Sequence, residues 1–110
     1  MTLTPFSAIQ PATTTGVVVS SNPNDQLVKL ECFNVGAAAA FIKLYNKATT
    51  PVPGDTPILR YAIPPNGMLV VSPGIVGGFT QGISYRITAG IADSHDVAVV
   101  VDTVIINIYR

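Results

Sequence analysis

Apolar residues recur at every second position in one short segment after another along this chain, and clusters of turn-forming residues separate the segments. A period of two belongs to a strand with one buried face, whereas a helix needs 3.6. "ISYRITA" shows the pattern plainly, with Ile83, Tyr85 and Ile87 set against Ser84, Arg86 and Thr88. In "QLVKLECFNV", Val28, Leu30 and Cys32 alternate with Lys29 and Glu31. In "AFIKLYN", Ala40, Ile42 and Leu44 face one way and Phe41, Lys43 and Tyr45 the other; in "ILRYAI", Leu59, Tyr61 and Ile63 oppose Arg60 and Ala62. "VVVSS", "MLVVS", "VAVVV" and "TVIINIY" read as further short strands. The breaks between them are "SNPND", the three-proline loop "TTPVPGDTP", "PPNG", the irregular glycine-rich "PGIVGGFTQG" and the polar turn "GIADSHD". Pro65 and Asn66 suit the two central positions of a tight turn. The four alanines 37–40 follow Gly36 within β-rich sequence, and a helix is not expected there.

Roughly seven or eight short strands with no amphipathic helix predict an all-β protein, an antiparallel β-sandwich of jelly-roll-like form. An immunoglobulin-like sandwich is the nearest rival, but its Cys-Trp-Cys hallmark is missing from a chain with one Cys and no Trp. Residues 1–16, with Pro5, Pro11 and the Thr13–Thr15 run, predict an extended N-terminal arm holding one short strand around Phe6 to Ile9. Residues 17–110 then form the β-sandwich domain. The last strand carries Val104, Ile106 and Ile108 on one side and Ile105 and Tyr109 beside Asn107 on the other. It is either covered on both faces or meets a partner, since a solvated strand would show polar residues at every second place.

Charge sharpens this expectation. The 110 residues include only six Lys or Arg and six Asp or Glu, 11% of the chain against about 25% in an ordinary soluble domain. Two readings fit, a well-packed domain with a Ser/Thr/Asn-rich exterior and a surface partly covered by other subunits, and the second comes first because sparse, balanced charge favours association. Without a basic excess, nucleic-acid binding lacks its electrostatic term. The longest nearly apolar run, "VGAAAAFI", is too short to span a bilayer, and "MTLTPFSAIQ" lacks the basic start and apolar core of a signal peptide. The lone Cys32 sits among apolar residues and predicts a buried free thiol.

No segment spells out a reaction or a cofactor. Asp93, His95 and Asp96 in "DSHD" offer metal-ligand types, but a closed site needs a fourth donor from afar, and turn formation already explains them. No Ser lies in a G-x-S-x-G elbow, and adjacent Ser94 and His95 would point apart on a strand. Glu31 is the only Glu; it reads as a solvent-side residue paired with a cation, and Asp55 would become its catalytic partner only by accident of folding. Gly74, Gly77, Gly78 and Gly82 lack the lysine and the strand-to-helix setting of a phosphate loop. Lys43, Lys47, Arg60 and Arg86 near Tyr45 and Phe41 make at most a small basic patch, and alternation places them on the solvent side.

"KLYNKA", "P-x-x-G-D-T-P", "IP-x-x-G" and "G-I-S-Y-x-I-T-x-G-x-A-D", spread over residues 33–100, resemble small β-sandwich proteins of tailed-phage virions. The resemblance implies a non-enzymatic structural protein of the virion. Capsid decoration (cement) proteins that bind between major capsid protein subunits come first, and tail or fibre-adaptor subunits second. It carries over no catalytic residue and no cofactor. The expected contact residues are Phe6, Ile9, Ile105 and Tyr109. The expected partners are the major capsid protein, other virion proteins, and further copies of the chain in homo-oligomers, trimers among them. Neither nucleic acid nor membrane is an expected partner. The place of action would be the capsid surface, after synthesis in the host cytoplasm. Truncation of residues 1–16 would weaken capsid association and leave the sandwich folded. The alternative of another class is a carbohydrate-binding module that stacks sugars on Tyr45, Tyr61 or Tyr85.

Overall fold

The computed structural model describes residues 4–10, 16–71 and 76–110. Ten strands form there, in the order β1 Pro5–Ile9, β2 Val17–Ser20, β3 Asp25–Leu27, β4 Lys29–Asn34, β5 Ala40–Tyr45, β6 Leu59–Ile63, β7 Gly67–Val71, β8 Val76–Phe79, β9 Ile83–Thr88 and β10 Val104–Tyr109. They build one four-stranded sheet ordered β1-β10-β4-β7, a second ordered β2-β9-β5-β6, and a small sheet of β3 and β8. The protein is an all-β sandwich, and every pairing in it is antiparallel.

The pairings share one rule. β1 pairs with β10, β2 with β9, β3 with β8, β4 with β7 and β5 with β6. The chain is thus a single long two-stranded ribbon turned back on itself at the proline-rich loop between β5 and β6. Rolling that ribbon brings β10 against β4 and β9 against β5, which joins it into the two large sheets. The glycine-rich "PGIVGGFTQG", expected to be irregular, contributes β8, because Val76–Phe79 finds its ribbon partner in β3. Conversely, "VAVVV", expected to be a strand, is a loop before the turn at 101–102, where Asp102 takes φ 61°. In the "PPNG" turn, Asn66 adopts φ 50°, the left-handed backbone that asparagine tolerates better than most residues.

Alternation decides what lies between the sheets. Leu30 and Cys32 of β4 and Val104, Ile106 and Ile108 of β10 meet Ala40, Ile42 and Leu44 of β5 and Ile83, Tyr85 and Ile87 of β9 in one buried core. Cys32 is a buried free thiol, as its apolar neighbours predict. Asn34, also buried, is satisfied locally: its amide donates to the carbonyls of Ala38 and Ile63, and its Oδ1 accepts from the Gly36 amide. Gly82 precedes β9 because a Cβ there would lie 2.4 Å from the Ser20 carbonyl oxygen, closer than any side chain can sit.

The strand expected around Phe6 to Ile9 is present as β1, hydrogen-bonded to β10 along its length. It is an edge strand of the sandwich, and Phe6 turns inward to meet the Tyr85 ring edge-on at 6.1 Å between centroids. Removing residues 1–16 therefore strips an edge strand and a core aromatic, and a less stable sandwich is the expected result. Residues 1–3 and 11–15 of the expected arm lie outside the described residues.

Candidate functional site

The register of the first sheet sets its outer face in cross-strand rows. Ile9 of β1 lies opposite Ile105 of β10, Ile105 opposite Phe33 of β4, and Phe33 opposite Met68 of β7. One apolar row therefore crosses all four strands. Ile105 and Phe33 are half-buried by their neighbours, while Ile9 and Met68 at the two edges are 56% and 53% exposed. Val70, two residues along from Met68, and Val35, just past β4, widen the apolar area. A shallow pocket of about 360 Å³ beside the row is lined by Phe33, Val35, Asn66 and Met68 among others.

The other end of this face is polar and internally paired. Lys29 reaches Glu31 at 3.4 Å and stands 5.7 Å from the centre of the Tyr109 ring. The Tyr109 hydroxyl donates to Glu31 Oε1 at 3.3 Å. Glu31 is thus paired with a cation, as its alternation suggests. The face is thus apolar at one end and polar at the other, and an exposed apolar patch of a few hundred Å² commonly marks a contact site.

Of the contact residues expected from the sequence, the structure brings Ile9, Ile105 and Tyr109 onto this face and turns Phe6 the other way, into the core. Phe33 and Met68 complete the row, and sequence reading missed both. Phe33 follows Lys29 and Glu31 at the same parity, so its outward direction was legible. Its place in an apolar row was not, because that depends on which strands become neighbours.

The second sheet differs. Its outward row is Arg60 of β6, Lys43 of β5 and Arg86 of β9, three cations in cross-strand register. Alternation placed them in solvent, yet Lys43 and Arg86 are fully buried. The cause is a roof. The loop 89–98 folds back over the sheet and meets the loop 46–58 where the Gly54 amide donates to the Asp93 carbonyl. Arg60 donates twice to the Asp93 carboxylate, at 2.8 Å each, and Arg86 donates to Asp96 at 2.7 Å. The Lys43 ammonium donates to the Ala92 carbonyl at 2.6 Å and to Thr88 Oγ1 at 3.0 Å. Like charges set directly opposite each other across strands repel, so these loop acceptors are what make the row tolerable. Burial first, and then the Arg86 charge, holds the Lys43 ammonium below its ordinary pKa.

This arrangement reassigns several candidates. Asp93 and Asp96 are turned to arginines, and no group of three or more metal-ligating side chains gathers among the described residues. Asp55 is bound to Lys47 at 2.6 Å in a loop over the second sheet, whereas Glu31 lies on the outer face of the first, so these carboxylates do not share a site. Tyr45 and Tyr85 are buried and Tyr61 packs against the core, which leaves none of the three as an open stacking platform for a sugar.

The ion pairs make the roof sensitive to acid. The Arg60 hydrogen bonds hold the Asp93 carboxyl below its ordinary pKa, and those of Lys47, followed by the Val52 amide, do the same for Asp55. Both folded values are depressed, so the contribution to stability is complete above about pH 4 and is lost as the pH falls through the lower folded values. Acidification below about pH 4 should shift the backbone NMR resonances of residues 89–98 before the core strands melt. Simultaneous loss of loop and core signals would show that these pairs do not hold the roof.

No family model, no curated protein and no solved structure matches this chain.

Proposed function

We propose that this chain is a non-enzymatic structural protein of a tailed-phage virion, a decoration or cement protein that binds between major capsid protein subunits through the outer face of β1-β10-β4-β7. The observation that carries the reading is the apolar row Ile9–Ile105–Phe33–Met68, which crosses the whole outer face of the first sheet. The phage-like segments "KLYNKA", "GDTP" and "GISYRITAGIAD" supply the virion context. The rolled ribbon supports reading the sandwich as a jelly roll, an architecture used by viral capsid domains among others.

The size of the face favours an array over an isolated pair. Four strands about 4.8 Å apart and about five residues at 3.4 Å give a footprint on the order of 300 Å². A stable one-to-one complex covers about 800 Å² per partner. A capsid presents many equivalent sites, and oligomers of the chain, trimers included, would engage several at once and gain by effective concentration. A protein that binds only the assembled shell stabilises it by linkage, about 2.7 kcal/mol at a hundredfold excess over Kd.

Cryo-electron microscopy of intact particles from cells that make this chain tests the reading. The expected result is sandwich-sized density on the capsid exterior, with β1-β10-β4-β7 toward the shell. Density in a tail ring or at a fibre base would move the assignment to a tail or fibre-adaptor subunit, and absence from the particles would remove both.

A further inference from the structure

We propose that the roofed face of β5 and β9 binds a small inorganic anion of halide size, held by the hydroxyls of Ser84 and Tyr45 and by the Arg86 guanidinium, with Lys43 as the adjoining charge. The register places these four side chains in one block: Tyr45 lies directly opposite Ser84, and Lys43 directly opposite Arg86. Opposite side chains in such a pair start about 5 Å apart at Cβ, so Tyr45, Ser84 and Arg86 are neighbours on one patch, while the Lys43 ammonium leans away toward Thr88 and the Ala92 carbonyl and adds charge at the edge of the patch.

Two buried hydroxyls point to a ligand. Ser84 is wholly buried, and its Oγ makes no hydrogen bond to any described residue. Tyr45 is 2% exposed; its Oη lies against the Arg86 guanidinium, which can only donate to it, so the hydroxyl's own proton still has no acceptor among the described residues. A buried polar group without a partner is rare and calls for an occupant. The second, independent observation is charge. Arg60, Lys43, Arg86 and Lys47 face three carboxylates, Asp93, Asp96 and the Lys47-bound Asp55, which leaves one positive charge over, and the Asp96 side chain stays 55% exposed while that of Arg86 is wholly buried. Lysine and arginine only donate hydrogen bonds, and both hydroxyls have a proton to give. A patch of donors with surplus positive charge under a roof suits an anion. A water would satisfy the hydroxyls and leave the charge.

The enclosure sets the size. Both hydroxyl-bearing residues are almost fully covered, which suits a single-atom anion better than a phosphate. Tyr45 also borders a surface pocket of about 260 Å³, with Lys47, Asp55 and Gln81 around it, and this is the side from which an ion would enter.

Bromide is the probe. Crystals of the full chain grown in sodium bromide should give an anomalous peak within hydrogen-bonding distance of Ser84 Oγ and the Arg86 guanidinium. In solution, Tm should rise as bromide replaces a bulky organic anion at fixed ionic strength and level off by about 0.15 M, the physiological range. Ser84→Ala should abolish the peak and the bromide dependence yet keep Tm in bromide-free buffer, since it removes a hydroxyl with no partner to lose. Tyr45→Phe serves as the second variant and should weaken both signals. A water without anomalous signal at this place would overturn the proposal. So would bromide confined to exposed lysines, binding seen only at crystal concentrations, or a Ser84→Ala peak as strong as the parent's. None of these outcomes depends on whether the protein belongs to a virion.

Discussion

On the proposed capsid-binding reading, an Ile9→Lys/Met68→Lys double variant should fold as well as the parent chain and bind capsids on the order of a thousandfold more weakly. Folding is spared because both side chains are more than half exposed and sit on the two edge strands of their sheet, where lysine is a natural resident. The inward residues Phe6, Ala8, Leu69 and Val71 stay untouched, and surface changes of this kind usually alter stability by about 0.5 kcal/mol or less. Docking suffers because each ammonium would have to enter an apolar contact without a partner. A cost of about 2 kcal/mol at each end, the threshold of an interface hot spot, multiplies to roughly three orders of magnitude in Kd. Val52→Lys is the matched control, a similar change at a half-exposed valine in the proline-rich loop over the other sheet. Co-sedimentation with purified particles reads the result. Binding by the double variant equal to that of Val52→Lys would mean that the apolar row is not the docking face.

The contrast between the two outer faces shows what alternation can and cannot reveal. Period two placed Ile83, Tyr85 and Ile87 together, and likewise Leu30 and Cys32, and those residues are the core. It also placed Lys43 and Arg86 on the opposite side of their strands, which is correct. The inference that this side is wet failed, because water was displaced by loops 46–58 and 89–98, whose approach depends on tertiary structure. The same distinction separates "VAVVV" from "VGGF". β-branched residues favour a pleated, half-buried surface but do not supply a partner strand. Val76–Phe79 lies where the returning ribbon passes β3 and pairs despite two glycines, whereas 97–100 forms no strand despite three valines. The apolar row was half legible for a related reason. Ile105 and Tyr109 announced an unusual outward face within one strand, but Phe33 and Met68 join it only through the order β10-β4-β7, which no single segment encodes.

Alkaline pH should destabilise the fold steeply, beginning near pH 9, and Cys32 should be the main cause. Burial alone pushes the Cys32 thiol from 9.0 up to about 12. Burial, aided by Cys32, pushes the Tyr85 phenol from 10.0 up to about 12. The unfolded chain releases these protons at the ordinary values while the folded chain keeps them, so stability is complete below the unfolded pKa and is lost as pH rises toward the folded one. At about 1.4 kcal/mol per pH unit, the thiol accounts for about 4 kcal/mol and the phenol for about 3 kcal/mol by pH 12. Tyr45 acts in the same direction, since burial raises its phenol against the pull of Arg86. Lys43 acts oppositely: its folded value is depressed, so its charge penalises the fold below that value and the penalty fades as pH climbs toward 10.5. One opposing lysine does not balance three raised acids, and a loss of several kcal/mol consumes much of a typical stability of about 5–15 kcal/mol. Cys32→Ala separates the thiol from the rest. It should cost about 1 kcal/mol at pH 8 through the small void it leaves, and flatten the decline between pH 9 and 12. The two stability profiles should therefore cross, with the variant the more stable protein at pH 11.5. Urea unfolding at pH 8 and pH 11.5 measures both points. Parallel profiles would show that the Cys32 thiol titrates alike in the folded and unfolded chain, which a side chain sealed between the two sheets cannot do.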